Sequence, residues 1–294
     1  MTFVSPPGYQ PVYNPSVPYL GPIHGAVRDG VSIYIQGSVP EHITRFLINL
    51  LCGESDSSDV ALHFNPRFDG RDKVVFNSRK DGSWMSEEKI RRMPFSKGEP
   101  FELVIMITSK GFQINVNGKD FFLFPHRLPM ERIRTIQVSG DVTIQTINII
   151  GVSHAGMGGE TCFPSQAVPF GAGIPGGMNP KRTIIIRGLV PYGATRFVLG
   201  RRPDIAFHLN PRVKEGVVVR NTRTGGKWGK EERELSGSPF TEGQYFDMSI
   251  RCGNQKFKAF VNGQHLLDFF HRTNFREIDK LEIDGDVQIS YVHF

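Results

Sequence analysis

Apolar residues along this chain recur at every second position in short runs. Val31-Ser32-Ile33-Tyr34-Ile35, Phe112-Gln113-Ile114-Asn115-Val116 and Val287-Gln288-Ile289-Ser290-Tyr291 all alternate, the period of a strand with one buried face. Asn117-Gly118 and Asn262-Gly263 fall between such runs, and this dipeptide tolerates the positive φ angles of a two-residue hairpin turn. Ser139-Gly140-Asp141 and Asp284-Gly285-Asp286 supply another matching pair of turns. No capped helical pattern of about ten residues or more interrupts the series. Many short strands joined by turns predict an all-β protein, with antiparallel sheets packed face to face as sandwiches.

The turns match because the chain is duplicated. The first copy holds His63-Phe64-Asn65-Pro66-Arg67, then Val74-Val75-Phe76-Asn77, then Trp84-Met85-Ser86-Glu87-Glu88-Lys89. The second holds His208-Leu209-Asn210-Pro211-Arg212, then Val218-Val219-Arg220-Asn221, then Trp228-Gly229-Lys230-Glu231-Glu232-Arg233. Asn to Trp spans 7 residues and Trp to the first Glu 3 in both copies, while His to Asn spans 14 and then 13. Only a loop has changed length. The 2 tryptophans of the chain occupy the same place in the repeat, so chance is excluded and two domains are expected. The spacing assigns residues 17–150 to the first and 168–294 to the second. A Pro/Tyr-rich stretch, 1–16, reads as an extended arm, and the Gly/Ser/Met-rich segment 151–167 as a flexible linker. His63 comes 26 positions after Gly37, but His208 only 20 after Gly188. One strand of the second domain is therefore expected to be clipped across Phe197–Asp204, with Arg201 and Arg202 in a tight basic loop.

Composition narrows the class further. At 294 residues the chain is long enough for two cores. The net charge of +6 is modest and no run of like charges marks a nucleic-acid tail. Three cysteines cannot all pair within one chain, which suggests reduced thiols. The first residues have neither a basic nor a continuous apolar region, so no signal peptide is expected, and no stretch is long enough to span a bilayer.

Alternation also places the chemistry. His63, Asn65 and Arg67 project from one face of a strand, as do His208, Asn210 and Arg212, while Phe64 and Leu209 point into the core. An imidazole, an amide and a guanidinium in a row both donate and accept hydrogen bonds. Asn77 adds an amide, Glu87 an acceptor able to pair with Arg67, and Trp84 a broad apolar ring. A stacking ring beside directional polar groups suits a pyranose, and galactose in particular, whose axial 4-hydroxyl leaves one face open.

H-x-N-P-R, V-V-x-N and W-x-x-E-x-R, in this order and spacing, resemble the galectins, metal-independent β-galactoside-binding lectins, and the doubling is similar to their tandem-repeat members. The resemblance implies jelly-roll sandwiches and a role for each site residue. His63, Asn65 and Arg67 would bind the galactose 4-hydroxyl, Asn77 and Glu87 the 6-hydroxyl, and Trp84 the apolar face. His208, Asn210, Arg212, Asn221, Glu231 and Trp228 would repeat this. The family's last Arg, which holds the Glu and reaches the next sugar, is Arg233 in the second copy but Lys89 in the first, and Met85 replaces the Gly after Trp. The first site is thus expected to bind galactose normally and its neighbour less well. The resemblance also implies crosslinking of glycoproteins and glycolipids, release without a signal peptide, and cytoplasmic and extracellular pools that reach cell surfaces through glycans. A monomer or weak self-association is expected.

Other readings remain. One degenerate domain would leave a single-site lectin with a scaffold attached. Arginines and aromatics also suit nucleic acid, but they form no stripe, so no nucleic-acid partner is expected. His63 and His208 lack further ligands at metal spacing, so neither metal nor cofactor is expected. Glu87 and Glu88 point to opposite faces, so they do not form a glycosidase pair and no enzyme is expected. Phe124-Pro125-His126-Arg127 and Phe269-Phe270-His271-Arg272 read as structural strand ends. Arg201 and Arg202 raise the prospect of anionic galactosides at the second site.

Overall fold

The computed structural model describes residues 11–151, 168–199, 204–233, 235 and 237–294, with the backbone alone over 197–199. Two compact units, meeting between Thr161 and Cys162 in sequence, each form a sandwich of two antiparallel sheets. In the first, one sheet orders Val12–Tyr13, Thr143–Ile150, Ser32–Ser38, Pro100–Thr108, Gly111–Val116 and Lys119–Pro125. The facing sheet orders Tyr19–Pro22, Thr135–Gly140, Phe46–Leu51, Val60–Arg67, Lys73–Lys80 and Ser83–Trp84, with Glu88–Ile90 also on Lys73–Lys80. Two single-turn 3-10 helices, Met130–Arg132 and Phe275–Glu277, are the only helical elements among the described residues.

The alternating runs bury one face each. Phe64 is fully buried and packs against Phe46 and Phe76, and Phe76 stacks on Phe124 across the sandwich. Asn117 and Asn262 take φ of 51° and 50°, and the glycines that follow take 76° and 75°, the two positive angles that let a tight hairpin follow the strand twist. The end of the Pro/Tyr-rich arm differs from expectation. Val12 and Tyr13 pair with Ile147 and Thr146 as an edge strand. A β-branched and an aromatic residue favour pairing there, and an edge tolerates the flanking Pro11 and Pro15. Residues 1–10 of that arm, and 152–167 of the expected linker, lie outside the described residues.

The second sandwich repeats the plan in sheets of six and five strands among the described residues. Phe197–Leu199 stands where Phe46–Leu51 does; residues 200–203, with Arg201 and Arg202 and much of the stretch expected to be clipped, lie outside the described residues. Arg220 stands where the first domain has Phe76. Its side chain is buried, with the Glu232 carboxylate 3.6 Å away. The inward position of the first domain's central ring is thus held by an ion pair.

Candidate functional site

The His-bearing strand carries a bulge just before its histidine. Val60 lies opposite Arg79 but His63 opposite Asn77, so three steps on one strand meet two on the other; Ile205, Arg223, His208 and Asn221 repeat this. A bulge re-aims the residues that follow it. Here it turns His63, Asn65 and Arg67 to the open face and leaves Phe64 in the core. The one-residue difference between copies falls beyond, where Arg67 pairs with Lys73 and Arg212 with Val217.

In the first domain these side chains line an open groove with Asn77, Trp84, Met85 and Glu87. His63, Asn65 and Asn77 are almost fully buried at its floor, and Trp84 is 49% exposed beside it. The indole lies edge-on to the His63 ring, with centroids 4.9 Å apart. The Arg79 guanidinium, on the residue paired with Trp84, sits over the indole at 5.3 Å. Trp228 repeats this, 50% exposed, 4.7 Å from the His208 ring and under Arg223 at 5.6 Å. An exposed indole held by a histidine and a cation is a platform, not a core residue.

The polar groups hold one another. Asn65 Nδ2 donates to the Phe46 carbonyl at 2.5 Å, and Arg67 Nε donates to Asn65 Oδ1 at 2.7 Å. Arg67 Nη2 and Lys89 Nζ reach the two oxygens of Glu87 at 3.5 and 3.0 Å. Lys89 therefore does grip Glu87, by a single contact, and holds its carboxyl below the ordinary range. In the second domain Arg233 brings both Nε and Nη2 to one Glu231 oxygen, and Arg212 reaches the other at 3.5 Å. Burial, with the nearby Arg67 charge, pulls His63 down to about 4. It is neutral at neutral pH.

The sequence marked Arg127, Arg272, Asp141 and Asp286 only as strand-end and turn residues and left Asn49 and Gln137 unnoticed, yet all of them support the site. Asn77 Oδ1 accepts from the Ser78 N–H at 2.8 Å and from Arg127 at 3.2 Å, while its Nδ2 donates to the Met85 carbonyl at 2.9 Å. Asn221 is held identically by Thr222 N–H at 2.8 Å, Arg272 at 3.1 Å and the Gly229 carbonyl at 2.9 Å. In both copies the amide oxygen is satisfied and one N–H remains for the groove. The structural histidines beside these arginines bond backbone, His126 to Thr108 and His271 to Gly253. Asp141 accepts from the Thr44 N–H and hydroxyl, and Asp286 from those of Thr195. Each clamps the strand end that bridges Arg45 to Arg67, or Arg196 to Arg212. Asn49 Oδ1 lies 2.7 Å from His63 Nδ1, and Gln137 lies behind it. The signal for Asn49 was there: it is the one polar residue in Phe46-Leu47-Ile48-Asn49-Leu50-Leu51.

A family model described as Galactoside-binding lectin matches residues 18–149 and again 169–294. The chain is 48% identical to galectin-4 of Sus scrofa and 45% identical to galectin-4 of Homo sapiens, in each case over 99% of both chains. It is 46% identical to galectin-6 of Mus musculus over the full length of both.

Proposed function

The chain belongs to the galectin family and is a tandem-repeat β-galactoside-binding lectin; on that premise we propose that each groove seats one galactose over its tryptophan. His63, Asn65 and Arg67 meet the 4-hydroxyl, Asn77 and Glu87 the 6-hydroxyl, and Trp84 the C–H face. His208, Asn210, Arg212, Asn221, Glu231 and Trp228 do the same in the second domain. The observation that carries this reading is the matched pair of half-exposed indoles, each beside a histidine and an asparagine whose oxygen is satisfied and which keeps one N–H for the groove. An amide donor and a carboxylate acceptor side by side suit a hydroxyl, which both gives and takes. The wrong epimer leaves buried polar groups unpaired, and that is what makes such a site selective. Binding is the whole chemistry assigned here; no bond is cleaved and no metal or cofactor is needed.

Two sites on one chain make the second binding event effectively intramolecular. We infer that the protein crosslinks galactoside-bearing glycoproteins and glycolipids as a monomer, at cell surfaces, after release without a signal peptide. Lys89 grips Glu87 through one nitrogen, which supports weaker hold on the sugar beyond galactose in the first site. Only Trp84 and Trp228 fluoresce strongly, so Trp84→Phe and Trp228→Phe variants isolate each site. Lactose should shift both signals and cellobiose, with its inverted 4-hydroxyl, neither. A silent Trp would reduce the chain to a single-site lectin. Raising salt should leave lactose binding nearly unchanged, whereas a nucleic-acid site would weaken steeply.

A further inference from the structure

The six residues by which the first domain exceeds the second fall just before the His row, and they bring a carboxylate to the back of the site. Gln137 Nε2 donates to Asp56 Oδ1 at 3.1 Å, Asn49 Nδ2 donates to Gln137 Oε1 at 2.7 Å, and Asn49 Oδ1 lies 2.7 Å from His63 Nδ1. A carboxylate accepts but does not donate, so it selects the NH2 end of Gln137. Gln137 must then offer its oxygen to Asn49, and Asn49 its oxygen to His63. The ring nitrogen facing that oxygen has to carry the proton, which leaves the lone pair on Nε2.

We propose that Asp56, Gln137 and Asn49 are a positioning relay that sets the tautomer of His63, so that Nε2 accepts a hydrogen bond from one hydroxyl of the bound sugar. This rests on the reading of the groove as a galactoside site, and it adds a direction to that contact: the sugar must be the donor. Asn49 and His63 are both buried, and reversing Asn49 alone would set its oxygen against the Gln137 oxygen, a costly mismatch. The neutral state of His63 keeps the lone pair available. The loop that carries Asp56 is fastened to the site as well. Arg79 donates to the Asp56 and Ser58 carbonyls while its guanidinium covers Trp84, and Arg132 pairs with Asp59 at 2.8 Å.

Among the described residues the relay is seen in the first domain. Register places Ile48 against Val138 and Leu199 against Ile283, so Glu282 stands where the first domain has Gln137. Glu282 pairs with Lys280 at 2.7 Å. Arg223, over Trp228, donates to the Gly226 carbonyl instead.

Nitrogen-15 NMR of the full chain with labelled histidine tests this, with His63→Gln identifying the signal. At neutral pH the wild-type spectrum should show His63 with a protonated Nδ1 and a bare Nε2. Asp56→Ala, at the exposed end, and Asn49→Leu should each yield mixed tautomers. In a Trp228→Phe background both should weaken lactose binding at Trp84 by roughly 3- to 10-fold, as for one lost hydrogen bond. Trp228 titrated in a Trp84→Phe background should not respond to either. A wild-type proton on Nε2, or an unchanged tautomer in both variants, overturns the relay. A correct tautomer with no lactose response upholds the relay and sinks the galactoside reading.

Discussion

At the residue scale, what distinguishes the site is how little freedom its side chains have before a ligand arrives. His63 shows this in its titration. Burial and Arg67 lower its pKa from 6.5 to about 4, so the folded chain resists protonation that the unfolded chain accepts. The stability this contributes is complete above about pH 6.5 and is lost as the pH falls toward 4. Lactose affinity at the first site should therefore hold between about pH 8 and 5.5 and fall on approach to 4, whereas the melting temperature should already decline below about pH 6.5. A midpoint near 6.5 by Trp84 fluorescence would show a solvated imidazole instead. Arg127 and Arg272 offer a second case. Each donates to the oxygen of a groove asparagine and anchors a neighbouring backbone carbonyl and glutamate. Arg127→Met removes one of the three hydrogen bonds that fix the Asn77 amide, and calorimetry should show lactose binding weakened by roughly 3- to 10-fold at the first site only. Arg272→Met should do the same at the second.

At the element scale, the two sandwiches solve one packing position differently. Phe76 is a ring among rings, whereas Arg220 turns inward and needs Glu232, which also holds Arg272 at 2.6 Å. Removing the half-exposed partner of a buried guanidinium leaves that charge uncompensated. Glu232→Ala should lower the second domain's stability by about 2–3 kcal/mol, while Glu88→Ala, opposite a ring-filled core, should cost the first domain less. Calorimetric melting of the full chain reads both. Much at this scale was legible beforehand. Alternation alone put His63, Asn65 and Arg67 on one face, and Asn117-Gly118 and Asn262-Gly263 marked their hairpins. What alternation cannot convey is which distant residue stands behind each of these. Arg127 meets Asn77 across 50 residues, Gln137 meets Asn49 across 88, and Asp141 meets Thr44 across 97. Such partners are set by strand order, which a periodicity of two leaves open. The pairing of Val12–Tyr13 was hidden for the opposite reason: the prolines around it dominate the composition of the stretch.

At the scale of the whole molecule, the residues assigned to each site come from one domain, so losing one site should not impair the other. Trp84→Ala should leave lactose binding at Trp228 intact yet abolish agglutination of galactoside-coated beads, with apparent affinity for the beads falling by roughly 100-fold or more. Equal agglutination by this variant would mean that crosslinking comes from self-association instead of two sites. The bulge ahead of each histidine has a different consequence, one for how this protein can change over generations. It works as a reading frame for the strand. Gaining or losing one residue beyond Arg67 or Arg212 merely resizes a hairpin, and the two copies have drifted there. One residue gained or lost between Val60 and His63 would turn the polar row into the core and Phe64 to the solvent. Insertions and deletions should therefore accumulate in the loops on either side of that strand and be purged from the three residues before the histidine, whatever the neighbouring side chains become.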